Sequence, residues 1–267
     1  MVTKKTTIAL LGCLAALIMA IGVVIDRIPQ PQSYHDFADQ RTLLGLPNIW
    51  NVLSNLPFAL GGIWGLFLLF SPGKVQFVEV RERWLWVGVA IGLILTAIGS
   101  SYYHLSPDNS RLVWDRLPMT IIFMSYVAAL ISERITIHLG LWLWPILLVI
   151  GVFSVLNWQA SEIRGVGDLR FYLGLQVFTI FTTFVMLMAP SPYDRSWDLV
   201  VAIALFGIAR LFEIFDKQIM LLTGGIISGH TLKHLAAGMA GIWLMRMLWK
   251  RKIVNSSCKK TQIGDDL

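Results

Sequence analysis

Charge and cysteine are what this sequence has least of. Only 14% of its 267 residues are Asp, Glu, Lys or Arg, against 56% that are hydrophobic, at a mean hydropathy of +0.67. So little polar surface cannot cover a water-soluble globule, which excludes an ordinary soluble enzyme or binding domain. Two cysteines, Cys13 in an apolar run and Cys258 in the polar C-terminal stretch, leave neither a disulfide framework nor a thiolate metal site. Any metal must take nitrogen or oxygen ligands. The net charge of +6 does not mark a nucleic-acid binder either. The basic residues concentrate at Lys4 and Lys5, then Lys74, Arg81 and Arg83, then Lys250, Arg251, Lys252, Lys259 and Lys260, all flanking apolar runs, and no soluble domain pairs them with aromatics. Basic clusters so placed are topology signals that face the cytoplasm, and nucleic acid is excluded as a partner.

What is present is a series of long apolar runs. A membrane-spanning helix needs about 20 such residues, and about eight segments qualify: residues 7–26, 48–71, 84–104, 113–132, 139–157, 171–190, 197–216 and 230–249. Short connections punctuated by Pro29, Pro31, Pro47, Pro72, Gly73, Pro107, Pro190 and Pro192 leave no room for a soluble domain between them. The expected fold is all-α: a polytopic membrane helix bundle with a seven-helix core and one additional N-terminal transmembrane helix. Residues 1–29 form the additional helix, retained as a signal anchor because no small-x-small cleavage site ends it; residues 30–250 form the seven-helix domain; residues 251–267 form a disordered cytoplasmic tail. Trp84, Trp86, Trp142, Trp144, Trp197 and Trp249 are expected in the interfacial belts.

Alternation of the spans brings the start of the second, the end of the third, and the starts of the fourth and eighth to one side of the membrane. His104, His230 and His234, three of the five histidines, lie at those ends. His230 and His234 are four apart and share a helix face, so both imidazoles can meet one cation. Three imidazoles with an open position make a catalytic zinc site; the alternative is three unrelated helix-end residues near the headgroups. Ser100, one turn from His104, can donate to a developing oxyanion or simply bond back to its own helix carbonyl. Asp115 opens the fourth span, where a carboxylate is costly; it is a general base and acid, or a salt-bridge partner of Arg111 or Arg116. Arg210, Glu213 and Asp216, spaced by three, are expected to form an ion-pair network that braces the site. His35 and His138 receive no role.

Taken together, Ser100-x-x-x-His104, Asp115 and His230-x-x-x-His234 form a pattern that resembles the alkaline ceramidase branch of the membrane hydrolase superfamily called CREST, in a bacterial-type member. Asn48-Ile49-Trp50-Asn51-Val52-Leu53-Ser54-Asn55 resembles the Asn-x-x-Ser-Asn element of that family's first core helix, and Asp115-Arg116-Leu117-Pro118-Met119 its Asp-Glu-Leu-Pro-Met stretch. The resemblance runs from Asp36 to the last span. It implies zinc held by His104, His230 and His234, with Asp115 acting on the water at the metal and Ser100 supporting the oxyanion. The implied reaction is hydrolysis of a ceramide-like lipid amide to a sphingoid base and a fatty acid. It also implies a calcium site before the first core helix, where this chain offers Asp36, Asp39 and Asn48, fewer carboxylates than calcium usually takes; the alternative for the two aspartates is a turn and helix cap. An inner-membrane location, with the active site near the external face, is the accompanying expectation. Two other readings remain open: a non-catalytic receptor or lipid-binding protein with structural zinc, and a haem-binding electron carrier using His104 with His230 or His234 as axial ligands.

Overall fold

The computed structural model describes residues 2–254. The expected tail beyond Val254, with Cys258 in it, lies outside the described residues. The helices are α1 (Lys4–Val24), α2 (Ile49–Leu53), α3 (Leu56–Phe70), α4 (Arg83–Leu105), α5 (Asn109–Arg134), α6 (Ile137–Ile163), α7 (Arg170–Met188), α8 (Trp197–Ile214), α9 (Asp216–Leu222) and α10 (Gly229–Lys250). Among the described residues the only β pairing is two isolated bridges, and the bundle is all-α. Taking α2 and α3 as one broken span, seven long elements form the core, and α1 lies outside it against α7.

Six elements are long and apolar enough to cross a membrane: α1, α2 with α3, α4 with its leading turn, α5, α6 and α7. The two remaining expected spans, α8 and α10, are diluted by Asp198, Arg210 and Glu213 on one and His230, Lys233, His234 and Arg246 on the other. At 1.5 Å per residue they are about 27 and 33 Å long, close to the thickness of a hydrocarbon core. They pack on each other, and α10 also packs on α3, which covers Asp198, Glu213 and Lys233, while Arg210 and Arg246 stay partly exposed and reach the covered carboxylates of Glu213 and Asp198. Two features depart from expectation. The seventh span breaks at Phe215, so Asp216 begins α9 instead of continuing the face of Arg210 and Glu213. Residues 251–254 are fastened, not free: Arg251 Nη1 donates to Glu133 Oε1 at 2.5 Å, and the backbone from Lys252 to Val254 pairs with Pro192 and Asp194. Trp86 and Trp144 are held towards the inside of the bundle by hydrogen bonds. Trp86 is fully buried and donates to Glu133 Oε1 at 3.1 Å, while the half-buried Trp144 donates to Ser125 Oγ at 2.9 Å.

Helix α4 is the centre of the bundle, packed between α3 and α5. Lipid tails are as apolar as leucine, so association rests on close backbone approach, which small residues permit. Gly88, Gly92 and Gly99 line the α4 face towards α5. Gly99 is the tightest: a methyl there would lie 1.9 Å from the Trp114 carbonyl oxygen. Pro118, four residues on, has no N–H to donate to that carbonyl, so α5 presents a free acceptor where α4 comes closest. The contact holds Ser100 beside Asp115.

Gly99→Ala is expected to separate α4 from α5, lowering stability by about 1–3 kcal/mol or more, whereas Gly12→Ala, on the open face of α1, should be neutral or slightly stabilising. Thermal unfolding of both variants in detergent checks this.

Candidate metal centre

The centre begins with a helix break. Pro57 cannot donate to the Leu53 carbonyl, and the chain tightens into a 3-10 turn in which the Asn55 amide bonds Val52 O at 3.2 Å instead of Asn51 O. The Asn51 carbonyl is thereby released from the helix. It accepts from Ser54 Oγ at 3.0 Å, from Asn55 Nδ2 at 3.0 Å and from His234 Nδ1 at 3.1 Å. Ser54 Oγ, its own proton given to Asn51 O, is 2.9 Å from the same His234 Nδ1. A carbonyl can only accept, so His234 carries its proton on Nδ1 and presents the lone pair of Nε2 inwards.

His230 sits on the first turn of α10, which Ser228 caps by accepting from the Thr231 amide at 3.0 Å. Asp216 Oδ1 accepts from the His230 amide at 2.7 Å, and its Oδ2 accepts from the Ala38 amide at 2.9 Å, tying helix and loop together. Thr231 Oγ1 donates to Asn51 Oδ1 at 3.1 Å, so one asparagine positions both ends of the His230–His234 turn. His104 ends α4, where Asn48 Nδ2 donates to its carbonyl at 2.9 Å. Its ring is held by packing, with the Phe37 and Tyr103 rings 4.7 and 4.8 Å away, and its Nδ1 has no partner. Phe37 also covers His230 at 4.3 Å.

The three histidines are each at most 3% exposed, and one ring nitrogen from each lies within 4.8 Å of the other two. His104 Nε2 and His230 Nε2 are 3.3 Å apart. Two imidazoles bound tetrahedrally at about 2.0–2.1 Å from one cation would have nitrogens about 3.3–3.4 Å apart, so this edge already has the length a metal requires. The three buried histidines can hold a metal ion, and they are the one such group among the described residues.

Ser100 and Asp115 line the same cavity of about 240 Å³ as His234. Ser100 Oγ is buried beside the Asp115 carboxylate, too loosely placed for a formed hydrogen bond, and has no other partner, so it does not bond back to its own helix. Among the described residues Asp115 forms no salt bridge: Arg111 turns to Asp108, and Arg116 to Gln30. The cavity shares Phe58, Thr96, Met119, Gln176, Phe206 and Ala237 with an apolar one of about 110 Å³ further into the bundle. Helices α7 and α8, consecutive in sequence, barely touch, and residues of both line the two cavities.

The oxygen residues are committed elsewhere. Asp36 is exposed and bound to Lys217 at 2.5 Å, whose hydrogen bond and charge hold its carboxyl below the usual range. Asp39 is buried and clasped by Arg41, Nη2 to Oδ2 at 2.5 Å. Asn48 is in the left-handed region and spends its amide on His104. A calcium ion here would have to displace two basic side chains. Glu213 does brace the site, bonded to Lys233 at 2.5 Å, to Tyr34 Oη at 2.9 Å and to Arg210. His35, given no role from sequence, is held 2.8 Å from Tyr103 Oη and 2.9 Å from Asn109 Oδ1. Asn51, Ser54 and Asn55 are the Asn-x-x-Ser-Asn element that the sequence displays, and the structure gives them a positioning role at His234; nothing in the spacing of Phe37 marks it as the cover of the rings. Pro57, two residues beyond the Ser54-Asn55 pair, was the available signal for the freed carbonyl.

Purified protein is expected to carry about one metal ion per chain by elemental analysis and to lose it in His234→Ala. Ser54→Ala, which removes one of the two acceptors on Nδ1, should weaken metal affinity about tenfold or more without abolishing it. No protein-family model matches the chain, and no curated protein matches it.

Proposed function

We propose that this chain is a zinc-dependent intramembrane hydrolase that cleaves the amide bond of a ceramide-like lipid, releasing a sphingoid base and a fatty acid. The observation that carries the reading is the shared cavity: an unpartnered hydroxyl, a carboxylate free of any salt bridge and one of three converging imidazoles line a single space. An all-imidazole donor set suits zinc and excludes the oxygen-seeking calcium and magnesium. Bound there, zinc would supply Lewis acidity, polarising a carbonyl and activating water.

The protein groups divide the remaining work. Asp115 takes the proton of the attacking water as oxygen adds to the amide carbon, then delivers it to the amine nitrogen as the C–N bond breaks. Ser100 Oγ–H, free of its own helix and beside Asp115, donates to the carbonyl oxygen as it gathers charge. The apolar cavity takes the acyl chain, and the gap between α7 and α8 admits it from the bilayer. A membrane location with the centre at the external face accords with the basic residues gathered at the other end of the bundle. The haem reading is opposed by geometry: a macrocycle has to lie between its two axial imidazoles, whereas the nitrogens of His104, His230 and His234 cluster within 4.8 Å of one another, with His104 and His230 3.3 Å apart.

Asp115→Asn should lower release of fatty acid from ceramide by about a hundredfold or more while leaving the metal bound. Mass spectrometry of lipid products, with metal analysis of the same samples, checks both. Release of no fatty acid from any lipid amide or ester by the wild-type protein would favour a lipid-binding or receptor role with a structural metal.

A further inference from the structure

The cavity beside the metal centre is lined by a cation that forms no ion pair within 4 Å among the described residues. Its charged lining residues are Asp115, Arg116, Arg210 and Lys233. Lys233 and Arg210 share the Glu213 carboxylate. Arg116 takes part in no ion pair among the described residues, although it is only 6% exposed. Its Nη2 donates to the neutral Gln30 Oε1 at 2.5 Å, and its guanidinium carbon lies 4.2 Å from the Trp158 ring centroid and 5.1 Å from that of Tyr172. Its Nη1 is buried without any partner.

A buried lysine can shed its proton; a guanidinium cannot, so an arginine kept from water needs compensation from its surroundings. Aromatic faces and one amide oxygen supply part of it. They also fix the plane of the fork and leave Nη1 without a partner on a residue that lines the cavity. Rigid, flat, aromatic-backed and with an unsatisfied donor, this arrangement fits an oxyanion, carboxylate or phosphate, far better than a hydroxyl.

We propose that Arg116 is an anion-recognition residue, and that the preferred ligand of the cavity is an acyl amphiphile whose polar end carries a carboxylate or a phosphate. The acyl chain runs into the apolar cavity, and the anion lies against Nη1. The inference rests on the amphiphile reading of the cavity but not on turnover, and within acyl amides it ranks those with an anionic polar end above neutral ones such as ceramide.

The test compares three probes with one chain and one amide: N-palmitoylethanolamine, N-palmitoylglycine and N-palmitoyl-phosphoethanolamine. Binding is read from tryptophan fluorescence in Asp115→Asn protein, which separates binding from hydrolysis, and again after adding Arg116→Gln. The expected result is that at least one anionic probe binds about tenfold or more tighter than the neutral one, and that Arg116→Gln removes this preference while neutral binding holds. Preference for one anion over the other identifies the head group. Equal binding of all three probes by the arginine-containing protein overturns the proposal, as does a preference that survives Arg116→Gln. Should the glutamine variant fail to fold, seen as loss of neutral binding, Arg116→Lys decides. A reduced but persisting preference supports the proposal, and an undiminished one makes the arginine fork irrelevant and overturns it. Anion-selective binding without hydrolysis of any probe by wild type would retain the role of Arg116 and sink the hydrolase reading. Hydrolysis of neutral ceramide without anion preference would do the reverse.

Discussion

The contact from His234 Nδ1 to the Asn51 carbonyl is the interaction on which the centre depends. A backbone carbonyl inside a helix is normally spent on the amide four residues on, and in a membrane it has no water to fall back on. Here the helix is broken by Pro57, the Asn55 amide moves to Val52 O, and the released carbonyl is satisfied by a hydroxyl, an amide and an imidazole. The cost of the break is thus offset within the site itself. In return the ring is fixed in the tautomer that turns Nε2 to the other histidines.

From that anchor the other two histidines follow by packing. Asn51 reaches Thr231 with its side chain, which sets the rotation of α10 and so of His230. Asp216 joins the head of α10 to the loop that carries Phe37 over the rings. His104 arrives from α4, whose depth is set by contacts such as that of Gly99 on α5. The ligand farthest from these polar restraints, His104, is also the one whose second nitrogen is unpaired.

Charge is arranged with the same economy. Glu213 serves Lys233, Arg210 and Tyr34 together, so a lysine can lie beside the imidazoles without an uncompensated charge. At the far end of the bundle Arg251, Glu133, Glu82 and Tyr193 form a second buried cluster, closed by Tyr193 Oη to Glu82 Oε2 at 2.5 Å. Intramembrane charge is tolerated where it meets its opposite. Arg116 departs from the pattern, and its aromatic surroundings are what make the departure sustainable.

Long apolar runs, alternating sidedness and the four-residue spacing of His230 and His234 made the bundle and the common depth of the three histidines legible without coordinates, because each rests on local composition or on helix periodicity. The break at Ser54-Asn55 had a local signal in Pro57, but that its freed carbonyl would meet His234 from a distant helix was not visible along the chain, nor was the break at Phe215. The same rules placed Trp86 and Trp144 in the interfacial belts, since a tryptophan's burial depends on what packs beside it. By itself, then, the sequence determined the all-α membrane architecture and which histidines and carboxylate share an end of it. Only the tertiary structure decided that Asp36 and Asp39 are bound by Lys217 and Arg41, that Asp115 is left beside Ser100, and that Arg116 is left without a counter-ion. Those outcomes turn on which opposite charge each side chain meets across the bundle, and no spacing along the chain encodes that.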